Sequence, residues 1–228
     1  MSEATYIGRG VHRSAVEGLA LRIFDGTYDE GDTLELPALM AELGVSQTVL
    51  REAVKVLTAK GLLDARQKRG TFVRPRADWN LLDGDVLRWK LAAGAPHDFF
   101  ADVLDLRRAI EPAAASLAAE RRTDEDLAAL DASLDAMRAA GSDPVLAVRA
   151  DTSFHTALLA ASHNRFFDQL RRVIVPALVA RGRHGGPRGH EDSLPAHAEV
   201  VRSVREGDAD GAYMAVLELL DLSLRDHP

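Results

Sequence analysis

Apolar residues recur at helical spacing in the first part of the chain. The segments 16–24 and 36–43 each predict a helix with one apolar face, and Gly44 ends the second of them. A third helix is predicted over 47–60, where Ser46 is a good N-cap because its hydroxyl can accept a bond from a free backbone N–H. Three short helices therefore open the chain.

A hairpin and a long helical region are predicted after these helices. Two short apolar stretches, LLDAR and TFVRP, flank residues 67–70 and predict two strands joined by a turn. Beyond Pro75 there is almost no strand signal, and seven segments carry helical periodicity: 85–93, 98–121, 124–140, 144–161, 165–180, 194–206 and 209–224. The pattern predicts a mainly α chain, with a winged helix-turn-helix domain over 1–76 and an all-α bundle over 77–228.

Composition excludes several classes of protein. The chain has no cysteine, so a disulfide framework and thiolate chemistry are excluded. No stretch approaches 18 apolar residues and the first ten residues contain no apolar core of a signal peptide. We therefore expect a soluble, cytoplasmic protein that does not enter membranes.

Charge is distributed unevenly along the chain. The formal net charge is −7, yet residues 46–76 contain eight basic and two acidic side chains, whereas residues from 77 onward contain 17 basic and 25 acidic ones. Affinity for phosphates depends on the local surface that touches them and not on the sum over the chain. The two parts are therefore expected to have different tasks, the first of them nucleic-acid binding.

The third helix and the hairpin carry the candidate DNA contacts. Gln47, Thr48 and Arg51 lie on its first turns, where side chains of a recognition helix reach base edges in the major groove. Lys55 lies one turn further, a position suited to phosphate. The alternative interpretation is the ordinary solvated basic face of an amphipathic helix. The hairpin favours DNA binding, because its tip carries basic side chains, Lys68 and Arg69.

A second group of residues has the spacing of a metal site. Asp151 and His155 are four residues apart, which places them on one face of a helix. Together with His197 from a later helix they would form a three-ligand site with open positions, as in many metalloenzymes. The alternative is a plain Asp–His hydrogen bond at a solvated surface. A metal-dependent enzyme is a possible function from these residues, although no nucleophile motif or glycine-rich phosphate loop accompanies them.

The N-terminal part resembles a known family of regulators. The stretch LMAELGVSQTVLREAVKVLTAKGLLDARQKRGTFV is similar to the DNA-binding domain of the GntR family. The resemblance implies that Arg51 is the arginine of the recognition helix and that the wing tip includes Arg69 and Gly70. Gln47 and Pro37 depart from the pattern, since the family usually has arginine at both places. We therefore expect an unusual operator sequence but the same fold.

The C-terminal part resembles the FCD ligand-binding domain of the FadR-like subgroup. The segments DLRRAIEPAAASLAAERRT, DTSFHTALLAASHN and HAEVVRSVREGDADGA carry this resemblance, and DWNLLDGDVLRW is similar to the junction of galactonate- and sugar-acid-responsive members. It implies a divalent cation such as zinc on Asp151, His155 and His197, with Leu219 at the place of a fourth ligand. It also implies that Arg107 points into the cavity to bind a carboxylate. Effector-binding residues are thus expected to be Arg107, Asp151, His155, Asn164 and His197.

The favoured hypothesis is a homodimeric repressor that binds operator DNA and responds to a small organic acid. Helix-turn-helix proteins usually bind palindromic sites as dimers, which is the reason to expect a dimer. Two alternatives are the metal-dependent enzyme and an architectural DNA-binding protein that takes no ligand. The architectural alternative leaves the polar residues of the second domain without a task.

Overall fold

The computed structural model describes residues 10–182 and 188–225, except for the side chains of residues 97, 188–192 and 223–225. Ten α-helices and one two-stranded sheet are found in this part of the chain. The elements are α1 Val11–Phe24, α2 Leu36–Leu43, α3 Gln47–Ala59, β1 Leu63–Arg66, β2 Gly70–Val73, α4 Gly84–Ala92, α5 His97–Arg121, α6 Asp124–Ala140, α7 Pro144–Ala161, α8 Arg165–Gly182, α9 Arg188–Glu206 and α10 Ala209–Arg225. The predicted mainly α fold with one small hairpin is confirmed.

The chain divides into two compact units, and the boundary along the sequence lies between Ala95 and Pro96. The first unit contains the three N-terminal helices, the hairpin and α4. Its hydrophobic core is built from one face of each helix and the strands, with Leu19, Leu50 and Leu57 among the fully buried side chains. The strands pair antiparallel, with Leu63 opposite Val73. This arrangement leaves the other face of α3 exposed.

Helix α4 belongs to the first unit by its packing. Trp89 is buried in the same core as the helices of the DNA-binding motif, and so is Trp79 just before α4. The Lys60 ammonium, at the end of α3, donates hydrogen bonds to both carboxylate oxygens of Asp83 at 2.7 and 2.8 Å. The sequence pattern placed residues 77–95 in the second domain, so the compact unit extends further along the chain than the expected boundary. These contacts are long-range and leave no mark on local periodicity.

The described part of the second unit contains six helices, α5 to α10. Local signals set several of their ends: Thr123 and Asp126 form a capping box at the start of α6, and Asp143 caps α7 ahead of Pro144. The core contains Phe154 and Leu158 of α7 packed with side chains of α5, α6, α9 and α10. This packing holds α5, α7 and α9 around one buried polar cluster.

Two helices begin earlier than the pattern predicts. Helix α1 starts at residue 11 and α9 at residue 188, whereas periodicity pointed to 16 and 194. The opening residues of α9 are polar and so give no apolar period to detect. Within the described ranges, no helix combines the length and apolar character needed to cross a membrane.

Candidate functional site

The exposed face of α3 carries the side chains predicted to contact DNA. Ser46 caps the helix, its hydroxyl accepting a bond from the Val49 N–H at 3.4 Å. The side chains predicted to contact DNA are all exposed on this face: Gln47, Thr48, Arg51 and Lys55. The Lys55 ammonium is paired with Glu52 at 2.7 Å, at an exposed position where such a pair exchanges easily with water or phosphate. The helix thus presents an arginine and polar groups outward from a rigid core.

The tip of the hairpin is the other candidate contact with DNA. Lys68 has a left-handed backbone, with φ of 68°, and Gly70 follows with φ of 83°. A left-handed conformation is unfavourable for a side chain with a Cβ atom, so Lys68 is held there by the turn. The Arg69 guanidinium stacks 3.6 Å from the Phe72 ring centroid and donates to the Gly31 carbonyl at 3.1 Å. Arg69 therefore folds back on the wing, while both side chains remain exposed.

In the second unit, three predicted ligands lie together. Helix α7 places Asp151 and His155 one turn apart, and α9 brings His197 to them. The Asp151 Oδ1 atom is 3.5 Å from His155 Nε2 and 3.3 Å from His197 Nε2, and the three ligand atoms all lie within 4.8 Å of one another. Both imidazoles are buried, whereas the Asp151 side chain keeps 21% of its surface exposed. Access to the site is therefore from the Asp151 side.

The outer nitrogens of both imidazoles are occupied by acceptors. His155 Nδ1 is 2.9 Å from the Glu111 carboxylate, and His197 Nδ1 is 2.9 Å from the Ser193 carbonyl. A proton on each Nδ1 would leave both Nε2 lone pairs directed at the cluster. His197 Nε2 is buried and faces the Asp151 carboxylate at 3.3 Å, without a well-aligned hydrogen bond among the described residues. Such an orphaned acceptor beside a carboxylate requires a proton or a cation.

The two separations from Asp151 fit one divalent ion. Two ligand atoms bonded to zinc at about 2.0–2.2 Å and at tetrahedral angles lie about 3.3–3.6 Å apart, which matches the 3.5 and 3.3 Å from Asp151 Oδ1 to the two imidazoles. Nitrogen and oxygen donors together suit zinc and related divalent ions. Leu219, at the expected place of a fourth ligand, is buried in the hydrophobic core. The protein thus offers three ligands, and further positions would be left to water or to a bound molecule.

Arg107 connects this cluster to a neighbouring cavity. Its guanidinium donates to both carboxylate oxygens of Glu111 at 2.8 and 3.3 Å, and Nη2 is 2.9 Å from His155 Nε2 and 3.4 Å from His155 Nδ1. These two distances place Nη2 beside the ring and not along the Nε2 lone pair. Arg107 also lines a small pocket that opens to solvent and has room for about one water molecule; its other lining residues are Phe100, Val103, Leu104, Ala177, Leu178 and Arg181. A fully buried arginine at a cavity is well placed to bind a carboxylate.

Electrostatic interactions within the cluster are strong. Burial acts to raise the pKa of Glu111, but the charges of Arg107 and His155 outweigh it and lower that pKa to about 2. Burial likewise opposes ionisation of Asp151, yet His155 and His197 hold its pKa well below the usual value. Burial would lower the pKa of His155, and the Glu111 charge raises it instead. Both carboxylates are therefore ionised at neutral pH.

Sequence reasoning missed the role of Glu111. It is completely buried and joins Arg107 to His155, so it fixes both side chains. The available signal was its four-residue spacing from Arg107 on a face that is otherwise apolar. Asn164, by contrast, accepts a bond from the Phe166 N–H at the start of α8 and takes no part in the contacts among the clustered residues. Its expected role in the pocket remains a prediction.

The sequence pattern predicts that three other histidines, His163, His184 and His190, are loop residues and not ligands. His163 lies between α7 and α8, where its Nε2 is 2.8 Å from the Asp126 carboxylate. His184 lies outside the described residues. The loop prediction is wrong for His190, because this residue lies in the first turn of α9, although its side chain is not described.

Comparisons with known proteins agree with this arrangement. The family model "Bacterial regulatory proteins, gntR family" matches residues 12–73, and the model "FCD domain" matches residues 102–222. The galactonate operon transcriptional repressor of Escherichia coli strain K12 is 34% identical over 211 residues, which cover 91% of this chain and 92% of that protein. The HTH-type transcriptional regulator LutR of Bacillus subtilis strain 168 is 32% identical over 158 residues, covering 69% of this chain and 70% of that protein.

One solved structure is similar to this protein over nearly the whole chain. The structure titled "Streptococcus agalactiae GntR" is 27% identical, with a TM-score of 0.52, and the match covers 95% of this chain and 99% of that one. The enzyme hypothesis has no support among these similarities, which are to transcription regulators. The chain belongs to the GntR family of bacterial transcription regulators, with a gntR-type DNA-binding domain followed by an FCD domain, and it is a DNA-binding protein and not an enzyme.

Proposed function

We propose that this regulator is a repressor whose binding to operator DNA is controlled by a small carboxylate bound in the FCD domain together with a divalent metal ion. The observation that carries the proposal is the buried cluster of Arg107, Glu111, Asp151, His155 and His197. Burying charged groups is costly, and a hydrophobic core of similar volume is often at least as stable. A ligand site explains why these groups are there.

Asp151, His155 and His197 would hold the metal, which would supply a cationic centre for carboxylate and hydroxyl oxygens. Glu111 and the Ser193 carbonyl orient the two imidazoles by accepting their Nδ1 protons. Arg107 would bind the carboxylate of the effector through its guanidinium N–H groups. The exposed edge of Asp151 provides access.

Sugar acids are the class of effector that we propose. The similar protein of Escherichia coli is named as a galactonate operon repressor. A sugar acid offers a carboxylate and an adjacent hydroxyl, two oxygens that can bind one metal ion side by side, and further hydroxyls for polar neighbours.

We further propose that α3 reads the operator and that the protein binds as a homodimer. Arg51 would contact a base, with Gln47 and Thr48 beside it, while Lys55 and the wing residues Lys68, Arg69 and Gly70 would contact the backbone. One chain presents a single recognition helix, and helix-turn-helix dimers place two of them one turn of DNA apart. The replacement of arginine at Gln47 would alter the preferred operator.

The experiment is a DNA shift assay with the DNA upstream of the regulator's own gene, with and without a panel of sugar acids. The wild type should bind this DNA and change its affinity when the correct acid is added. His155→Ala should lose bound metal and the response while still binding DNA, and Arg107→Ala should retain metal but lose the response.

Arg108→Ala is the matched control, because Arg108 is the next residue and pairs with Asp221 away from the cluster. It should respond as the wild type does. A normal response in Arg107→Ala would contradict the carboxylate role of Arg107. A wild type with no divalent metal, and a response unaffected by chelator, would contradict the role of the metal.

A further inference from the structure

The charges of the buried cluster constrain what can bind there. Among the described residues, Arg107 contributes one positive charge, and Glu111 and Asp151 contribute one negative charge each. His155 and His197 ligate a metal only as neutral imidazoles, because the ligating nitrogen must be deprotonated. With both imidazoles neutral, as metal binding requires, these five side chains together carry one net negative charge, and with a divalent ion they carry one net positive charge.

A net charge is unfavourable in this environment. Arg107 and Glu111 expose 2% and 0% of their surface, and both imidazoles are similarly buried. Water therefore screens the charges poorly, and each ion interacts strongly with the others. One bound monoanion would bring these five side chains and the ion to neutrality; Arg181, which lines the pocket beside Arg107, lies outside this count.

We infer that the Arg107–Glu111 pair sets the net charge of this centre so that a divalent cation and a singly charged carboxylate bind cooperatively. This inference rests on the proposed function and adds to it a coupling between two ligands and a charge for the effector. Arg107 lies within 2.9 Å of a ligating nitrogen, so its positive charge opposes the metal until an anion lies near both. By linkage, the anion must tighten metal binding by the same factor as the metal tightens anion binding.

The first experiment measures zinc affinity of the full-length wild type by competition with a chelating dye. D-galactonate is the carboxylate, and galactitol, which has the same carbon skeleton without the carboxylate, is the control. Saturating D-galactonate should tighten zinc binding by at least about tenfold, within the usual range of coupling between sites. Galactitol should leave zinc affinity unchanged.

The second experiment uses charge variants that keep side-chain size. Without galactonate, zinc affinity should rank Arg107→Gln above the wild type and the wild type above Glu111→Gln, in steps of about tenfold. Galactonate affinity of the zinc-loaded proteins should rank in the opposite order. The double variant, which has the wild-type net charge, should return zinc affinity close to the wild-type value.

Opposite rank orders separate this inference from a structural role. If the pair only held the site in shape, each single variant and the double variant would bind both ligands more weakly. Weaker zinc binding by Arg107→Gln, with its thermal melting unchanged, would overturn the inference, and so would zinc affinity that is independent of galactonate. If zinc affinity were independent of galactonate but galactonate still changed the affinity for operator DNA, the proposed function would stand. If galactonate did not bind to the protein at all, both this inference and the proposed function would fall.

Discussion

Replacing Lys60 with methionine should destabilise the DNA-binding unit. The Lys60 ammonium donates to both oxygens of Asp83 and lies 2.9 Å from Asp85, whose side chain is 3% exposed. Burial acts to lower the pKa of Lys60, but the hydrogen bonds that its ammonium donates to the two carboxylates raise that pKa, so the ammonium is charged. Methionine has a similar length, but it leaves two carboxylates without this cation.

The magnitude follows from the burial of the partners. Removing one member of a fully buried ion pair costs about 3–5 kcal/mol. Lys60 and Asp83 keep 13% and 26% of their side chains exposed, and Arg88 stays 3.3 Å from Asp85. A loss of about 2 kcal/mol in the free energy of unfolding is therefore expected, which lowers the urea midpoint by about 1 M for a unit of this size.

Tryptophan fluorescence measures this unit selectively. The chain has two tryptophans, and both Trp79 and Trp89 lie in the core of the first unit. Lys55→Met is the matched control, because Lys55 is on the same helix but its pair with Glu52 is exposed. That variant should unfold at the wild-type midpoint. Equal midpoints for Lys60→Met and Lys55→Met would refute the argument that the link between α3 and the segment before α4 stabilises the unit.

Three further predictions concern DNA binding. Arg51→Ala should lower operator affinity by about 1–3 kcal/mol and relax the preference at one base position, whereas Lys55→Ala should weaken binding to all DNA sequences alike and reduce the slope of log affinity against log salt concentration by about one. Unchanged operator binding by a folded Arg51→Ala variant would show that α3 is not the recognition helix. Lys68→Gly should stabilise the first unit by about 1 kcal/mol, because glycine tolerates the left-handed backbone, and it should weaken binding to any DNA because a positive charge is lost. If the variant unfolded at the wild-type midpoint, the argument that the backbone of Lys68 is strained would be contradicted. Sedimentation of the protein with and without DNA should show a dimer that covers a palindromic site. A single monomer bound to each site would contradict the proposed dimer.

Much of the fold is predictable because local signals mark the helices. Gly44 and Ser46 bracket the turn before α3, and Pro144 opens α7 where the sequence pattern placed it. The packing of α4 is not predictable in this way, since Lys60 and Asp83 are 23 residues apart and no period connects them. The division of the chain between its compact units differs from the expected boundary for this reason.

The clustering of Asp151, His155 and His197 was predictable, and the surroundings of this cluster were less so. A four-residue spacing predicts that Asp151 and His155 share a face, and His197 of a later helix was proposed to complete the site. The resemblance adds Arg107. The role of Glu111 depends on how α5 packs against α7, because its carboxylate joins residues of both helices. Contacts between helices depend on how the folded core packs, and local patterns in a single sequence do not predict which side chains will meet.

The most direct test of the central claim is the affinity of the metal-loaded protein for operator DNA, measured by fluorescence anisotropy as a sugar acid is added. The account predicts that the acid changes the affinity of the wild type and of Arg108→Ala, but leaves that of Arg107→Ala and His155→Ala unchanged. An equal response in all four proteins would contradict the claim that this buried cluster controls DNA binding.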